Sequence, residues 1–403
     1  MVRLNAILEC NYDLRYLKVP VRYVVSTLLV AFTKLTLAVL LSISQRVSTV
    51  DGFWMDVARV EPLVQNEILL DAGSKAIKWA YLFLGWDGAW YASIAAKGYS
   101  FSDQSFAFMP GLPLLARLLQ ATLGGIIPAL VICCLVFGVI WVPLFQSVAE
   151  YYMGKRTALL GSILFALSPF TLLFTTVAYS EGLFLFITLA AWKLYLGKRY
   201  LPASIASALA ALVRVPGFLI VLPMAIDLMS SRKGGSRLKA ALISVPTILA
   251  ILCWAVFMGF SGDPLAISHT TEWSGMYTLP TYFTRVLPAG GLSALSFPVA
   301  YLNVHWLLPL AIWGSIFLLP LILRRLWAID HSLGFYCLTY VVGVFASGAA
   351  VSTPRFFAVL FPLWFPFLEA LVSRKWVWIS LIAGFIMVCI ILWTGFLSGV
   401  FVG

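Results

Sequence analysis

Residues 85–115 read GWDGAWYASIAAKGYSFSDQSFAFMPGLPLL, a stretch with two aspartates, one lysine, four glycines and seven aromatic residues in a chain otherwise dominated by hydrocarbon. What such a stretch does beside a bilayer decides the fold. Of 403 residues, 62% are hydrophobic and 11% charged, and the mean hydropathy is +0.98. Soluble domains run at roughly 45–50% apolar and ~25% charged residues, so this composition is that of a polytopic membrane protein.

The net charge of +11 resides in short Lys/Arg clusters between apolar runs, where it reports orientation rather than a nucleic-acid surface. Six cysteines include the adjacent Cys133 and Cys134, three inside apolar runs (Cys253, Cys337 and Cys389) and an isolated Cys10. They form neither a disulfide frame nor a metal-ligand spacing.

A spanning helix needs ~20 mostly apolar residues. Such runs begin near Tyr23, Gly125, Thr157, Glu181, Lys239, Asn303, Leu333, Phe356 and Trp376, and residues 201–229 read as two short helices broken at Arg214-Val215-Pro216-Gly217. The expectation is an all-α polytopic protein with about eleven crossings, folded as a single domain over 1–403. The run from about Tyr23 to Ser44 reads as a retained first span, because no small-residue cleavage site closes a short apolar core.

Positive-inside counting places Arg3, Arg15, Lys18 and Arg22 in the cytoplasm, together with Lys155-Arg156, Lys198-Arg199, Arg232 to Lys239, Arg324-Arg325 and Arg374-Lys375. Two loops then fall outside, a large one over 45–124 and a second over 261–300. The parity requires Phe106 to Thr122 not to cross, and its two prolines, Arg117 and Gln120 suit an amphipathic helix on the outer surface. Asp87, Glu181, Arg214 and Arg355 then share the non-cytoplasmic face, although the counting made no use of their chemistry.

Asp87 is a candidate N-cap for a helix ending at Gly98, and equally a candidate general base between Trp86, Trp90 and Tyr91. Those rings, with Tyr99, are also the aromatics expected at any headgroup boundary. Glu181 opens an apolar helix, where a carboxylate suits the dipole. Arg214 and Arg355 each interrupt apolar sequence beside a proline, an arrangement that snorkels or meets an anion such as phosphate. Asp103 stands in reserve as an acid or base, with an Asx-turn as its alternative. Glu272 is a further outside carboxylate. Lys34 and Asp227 read as snorkelling or paired groups, and His269 and His305 carry no assigned role.

These residues resemble a known family. Trp86-Asp87-Gly88-Ala89-Trp90-Tyr91, Ile94-Ala95, Gly98-Tyr99 and Phe106-Ala107-Phe108-Met109-Pro110-Gly111-Leu112-Pro113 are similar to PIG-V, the second mannosyltransferase family of glycosylphosphatidylinositol assembly. Ser168-Pro169, Tyr179-Ser180-Glu181 and Arg214 follow in that family's order, and Arg355-Phe356 resembles its late Arg-Phe element. The similarity covers about residues 75–220 and, more weakly, the rest. Two departures stand out: Trp90 where the family commonly has His, and Arg214-Val215-Pro216-Gly217 where it has Arg-Ser-Asn-Gly.

The resemblance implies a GT-C-type membrane glycosyltransferase fold, with the essential acidic residue in the first outside loop at Asp87. It implies transfer of mannose, with inversion, from a polyprenyl (dolichyl) phosphate to a hydroxyl of a lipid-linked glycan. Asp87 would take the acceptor proton, and Arg214, Arg355 and Lys97 would follow the phosphate's charge. Trp86, Trp90, Tyr91, Tyr99, Tyr179 and Glu181 would line the substrate. No cofactor is required by this scheme, which leaves room for a divalent metal; the partners are donor, acceptor and membrane lipids, with no nucleic acid. The membrane would be the endoplasmic reticulum in a eukaryote and the plasma membrane in a prokaryote. Competing readings are a transporter or flippase of an anionic lipid-linked substrate, a non-catalytic subunit, and a transferase of the same fold with another sugar or a protein acceptor.

Overall fold

The computed structural model describes residues 11–14, 17–45, 83–85, 87–100, 105–230, 236–260, 317–346, 352–372 and 374–397. Trp86, Asp103, His269, Glu272, His305, the segment 261–300 and residues 46–82 of the first loop lie outside the described residues.

Against the all-α expectation, the described chain starts with an antiparallel hairpin, β1 (Asn11–Leu14) and β2 (Leu17–Pro20), registered with Tyr12 opposite Val19. Pro20, which lacks an N–H, closes the ladder, and α1 (Val21–Gln45) starts at the next residue. Every other described element is helical.

The centre is α4 (Ile126–Tyr152), 27 residues long and therefore about 40 Å at the helical rise of 1.5 Å. Its inward face buries Trp141 and Phe145 completely, both against Phe165 with ring centroids at 5.0 and 4.7 Å. Around α4 pack α1, α2 (Asp87–Lys97), α3 (Gly111–Leu123), α5 (Lys155–Ala166) and α7 (Glu181–Leu196). A second layer joins α7 to α8 (Tyr200–Val213), α9 (Val221–Ser230) and α10 (Ser236–Phe260).

Among the described residues, three helices are long and apolar enough to cross a membrane: Ile126–Tyr152, Arg237–Met258 and Trp376–Phe396. The last two belong to α10 and to α15 (Lys375–Leu397), and both turn isoleucine and valine side chains outward, joined by leucines on α10 and by Met387 on α15. A face of that kind is stable only against lipid or another apolar surface. By contrast α3, at 13 residues, extends about 20 Å and is too short to span. It buries Leu112, Pro113 and Ala116 and exposes Leu114, Arg117 and Leu118, the two-faced form expected of a surface helix.

Several apolar runs are broken where spans were expected, and each break has a covalent cause. The run beginning near Thr157 ends as α5 at Ala166, and α6 (Pro169–Phe174) starts afresh because Pro169 cannot donate to the preceding turn. The run beginning near Phe356 divides at Pro362 and Pro366 into α13 (Thr353–Ala358), a 3-10 turn (Phe361–Trp364) and α14 (Phe365–Val372). As the sequence indicates, α8 stops at Arg214, whose backbone is extended (φ −149°, ψ 141°), before a 3-10 turn over Val215–Ile220. Two further helices, α11 (317–329) and α12 (His331–Ala346), complete the order before α13.

Candidate active site

Four of these breaks and helix starts converge. Asp87 is the first residue of α2, held by the Gly88 N–H donating to the Gly85 carbonyl at 2.9 Å. Gly88 lies against the chain at Ala178: a Cβ there would sit 3.3 Å from the Ala178 carbonyl oxygen. The Ala178 N–H donates in turn to the Phe83 carbonyl at 2.9 Å, so the start of α2 and the Tyr179-Ser180-Glu181 segment form one corner. At the other end Gly98 takes φ +88°, a left-handed stop that a side chain disfavours.

Glu181 opens α7 with its side chain fully buried. The start of α7 meets α4 backbone to backbone, since a Cβ at Gly182 would lie 2.8 Å from the Gly138 nitrogen. From this position Glu181 Oε1 accepts from Arg214 Nη1 and from Arg355 Nε. Arg355 spans both carboxylates, with Nη1 at 2.5 Å from Asp87 Oδ2. Two carboxylates and two guanidiniums therefore balance, and the two arginines are each 7% exposed. Neutrality of this kind is what allows Glu181 and the two arginines to be buried beside the partly exposed Asp87.

Aromatic faces complete the cluster. The Arg355 guanidinium lies over Tyr179 at 4.5 Å and Phe174 at 5.4 Å, and that of Arg214 over Phe356 at 4.9 Å. Arg214 Nη1 also donates to Ser180 Oγ at 3.2 Å, which shares a hydrogen bond with the Tyr91 hydroxyl at 2.8 Å. Burial opposes the charge on Arg355, but Asp87 and then Glu181 override it and hold the guanidinium protonated well above its ordinary range. Asp87 is the more accessible carboxylate, at 18% against 0% for Glu181. Glu181 Oε2 has no hydrogen-bond partner among the described residues.

The structure thus brings together Asp87, Glu181, Arg214, Arg355, Tyr91 and Tyr179. It does not bring Lys97 there: that exposed residue ends α2, about 15 Å of helical rise from Asp87. Trp90 stacks on Phe108 at 5.8 Å. Tyr99 donates to the Phe108 carbonyl at 2.9 Å and packs its ring against Phe106 and Trp254, both at 5.0 Å; burial pushes its phenol well up. Trp90 thereby holds the loop after α2, and Tyr99 ties that loop to α10.

Sequence reasoning missed Ser180, Phe174, Phe356 and Tyr340, the last of which donates to the Phe356 carbonyl at 3.2 Å. Ser180 and Phe356 had a signal, in the Tyr179-Ser180-Glu181 and Arg355-Phe356 elements, whereas Phe174 and Tyr340 had none. Among the described residues no group of three or more His, Cys, Asp or Glu side chains is arranged to hold a metal ion.

Fold and site together define a multi-pass helical membrane protein whose helix breaks meet in a buried, charge-balanced carboxylate–arginine cluster. The chain belongs to the mannosyltransferase (PIG-V) family, whose profile matches residues 21–231, and so to the glycosyltransferases. That span carries Asp87, Glu181 and Arg214, whereas Arg355 lies beyond it. No curated relative matches the chain. Among solved structures it is similar to an Archaeoglobus fulgidus oligosaccharyltransferase crystallised with Zn and sulfate, at 13% identity and a TM-score of 0.44. That match covers 80% of this chain, which spans about half (49%) of the archaeal one.

Proposed function

We propose that the protein transfers mannose from a polyprenyl phosphate to a hydroxyl of a lipid-linked glycan, such as a glycosylphosphatidylinositol precursor, with inversion at C1. Within this reading the chain has a GT-C-type architecture of about eleven crossings. Its site faces the endoplasmic reticulum lumen in a eukaryote or the outside of the plasma membrane in a prokaryote, and no cofactor is required. The observation that carries the proposal is the Asp87–Arg355–Glu181–Arg214 cluster, in a chain of this family.

The cluster supports the following chemistry. The acceptor hydroxyl loses its proton to Asp87 as its oxygen bonds to C1, and the C1–O bond to phosphate breaks with the electron pair leaving on the phosphate. A positioned base of this type contributes roughly 10²–10⁴-fold. No acid is needed at a leaving phosphate, because Arg355 and Arg214 follow its negative charge. Before donor binds, Asp87 is paired with Arg355; a phosphate drawn to that guanidinium competes with the carboxylate and leaves Asp87 available as a base. Glu181, itself fully buried, keeps both arginines in place.

The test is reconstitution of purified protein in liposomes with radiolabelled polyprenyl-phosphate mannose and a panel of glycolipid acceptors. Label recovered covalently in the acceptor supports the proposal. Donor crossing the bilayer without incorporation makes the protein a carrier, and label in protein or another lipid moves the acceptor class.

A further inference from the structure

Lys34 is fully surrounded in the middle of α1, 3% exposed, in packed surroundings where burying an ammonium is costly. The sequence offers two explanations, snorkelling and a paired role; among the described residues the ammonium meets neutral oxygens rather than an acid. The ammonium donates to three neutral oxygens: the Gly138 carbonyl at 2.7 Å, the Thr175 carbonyl at 2.9 Å and Thr175 Oγ1 at 2.6 Å. Three donors meet three acceptors, so its hydrogen-bonding capacity is satisfied.

Each acceptor leads to the cluster. Gly138 is the point on α4 against which Gly182 packs, one residue after Glu181. Thr175 closes α6, donating its own hydroxyl to the Thr171 carbonyl at 2.6 Å. Thr171 Oγ1 then donates to the Ala358 carbonyl at 2.9 Å, at the end of the six-residue helix that carries Arg355. Phe174, between them, lies beneath the Arg355 guanidinium. From Lys34 one chain of contacts thus reaches the Glu181 corner and another the Arg355 helix.

We propose that Lys34 is a positioning residue for the transfer reaction: by fixing Gly138 and Thr175 it sets where Glu181 and Arg355 stand relative to Asp87. The inference rests on the transferase reading above. α13 is too short and proline-bounded to hold Arg355 by its own helical hydrogen bonds. Its C-terminal carbonyls are instead capped by the Thr171 and Tyr340 hydroxyls. An apolar residue at 34 leaves the Thr175 carbonyl in the interior without this donor, and the α6 corner relaxes.

Lys34→Met is compared with Lys34→Arg, Arg355→Gln and the Lys34→Met/Arg355→Gln pair, per mole of monodisperse protein. A shift of about 1 Å in a catalytic group costs on the order of 10²-fold, so a roughly 10–100-fold loss of kcat with acceptor KM unchanged is expected. Lys34→Arg, which keeps donors, recovers part of it, and Lys34→Met adds little once Arg355 is gone. If Lys34→Met does not fold, Thr171→Val cuts the link to Ala358 and must give the same pattern. Cys134 supplies a readout free of turnover: its Sγ lies 3.3 Å from the Tyr179 carbonyl and is buried. With the other cysteines replaced by alanine, Lys34→Met should speed its N-ethylmaleimide labelling, because a relaxed corner opens more often.

Unchanged kcat per folded molecule, or equal losses with and without Arg355, overturns the proposal. If the wild type transfers nothing, the transferase reading falls by itself, and labelling decides whether Lys34 orders the corner: faster labelling supports it, unchanged labelling overturns it.

Discussion

Replacing Glu181 with glutamine keeps the side chain's shape and removes one charge from a fully buried position where two guanidiniums converge. The four-residue cluster changes from balanced to one net positive charge. At a separation of ~4 Å and an effective dielectric of ~20, each lost attraction amounts to about 4 kcal/mol. Breaking buried pairs in proteins costs about 3–5 kcal/mol in total, because the stranded partner adjusts. We expect Glu181→Gln to lose that much, measured by equilibrium unfolding in mixed micelles followed by tryptophan fluorescence. Adding Arg214→Gln restores neutrality, so the double variant should be more stable than the sum of the single losses by about 1–3 kcal/mol. A single variant within about 0.5 kcal/mol of wild type, or an additive double variant, refutes the reasoning that charge balance holds this corner together.

Gly138→Ala should fail to give monodisperse protein, since its Cβ would lie 1.9 Å from the Thr175 carbonyl oxygen; even ordinary overpacking costs about 1–3 kcal/mol. Arg22→Gln removes two hydrogen bonds to Glu150, at 2.6 and 3.0 Å, that join the start of α1 to the end of α4. It should lower unfolding stability by about 1.5–3 kcal/mol while kcat stays within about twofold. Lys97→Ala should change the donor KM less than about threefold in the liposome assay, because its position at the far end of α2 offers only a screened interaction with the phosphate.

The sequence carried much of the site because charges in apolar stretches are expensive and so conspicuous. Arg214 before Pro216-Gly217 announced both a helix break and a buried cation, and the structure places both there. Parity of the basic loops put Asp87, Glu181, Arg214 and Arg355 on one face, and they meet. What stayed hidden depends on long-range hydrogen bonds. Tyr340 reaches the cluster through a backbone carbonyl, and Lys34 satisfies its charge with carbonyls more than a hundred residues away. Neither arrangement leaves a pattern in composition or periodicity. The runs at Thr157 and Phe356 read as unbroken helices because hydropathy does not register proline's missing N–H, which divides the first into α5 and α6 and the second into α13, a 3-10 turn and α14. Lys97 and Tyr99 lie close to Asp87 in sequence, but helical rise carries one away and packing occupies the other.

The central claim is that Asp87 is the base of a mannosyl transfer. Its most direct measurement is the single-turnover rate of Asp87→Asn, in liposomes with saturating polyprenyl-phosphate mannose and glycolipid acceptor, on protein whose unfolding curve matches wild type. The account predicts a loss of roughly 10²–10⁴-fold with donor binding retained. Transfer at the wild-type rate by the folded variant would contradict it.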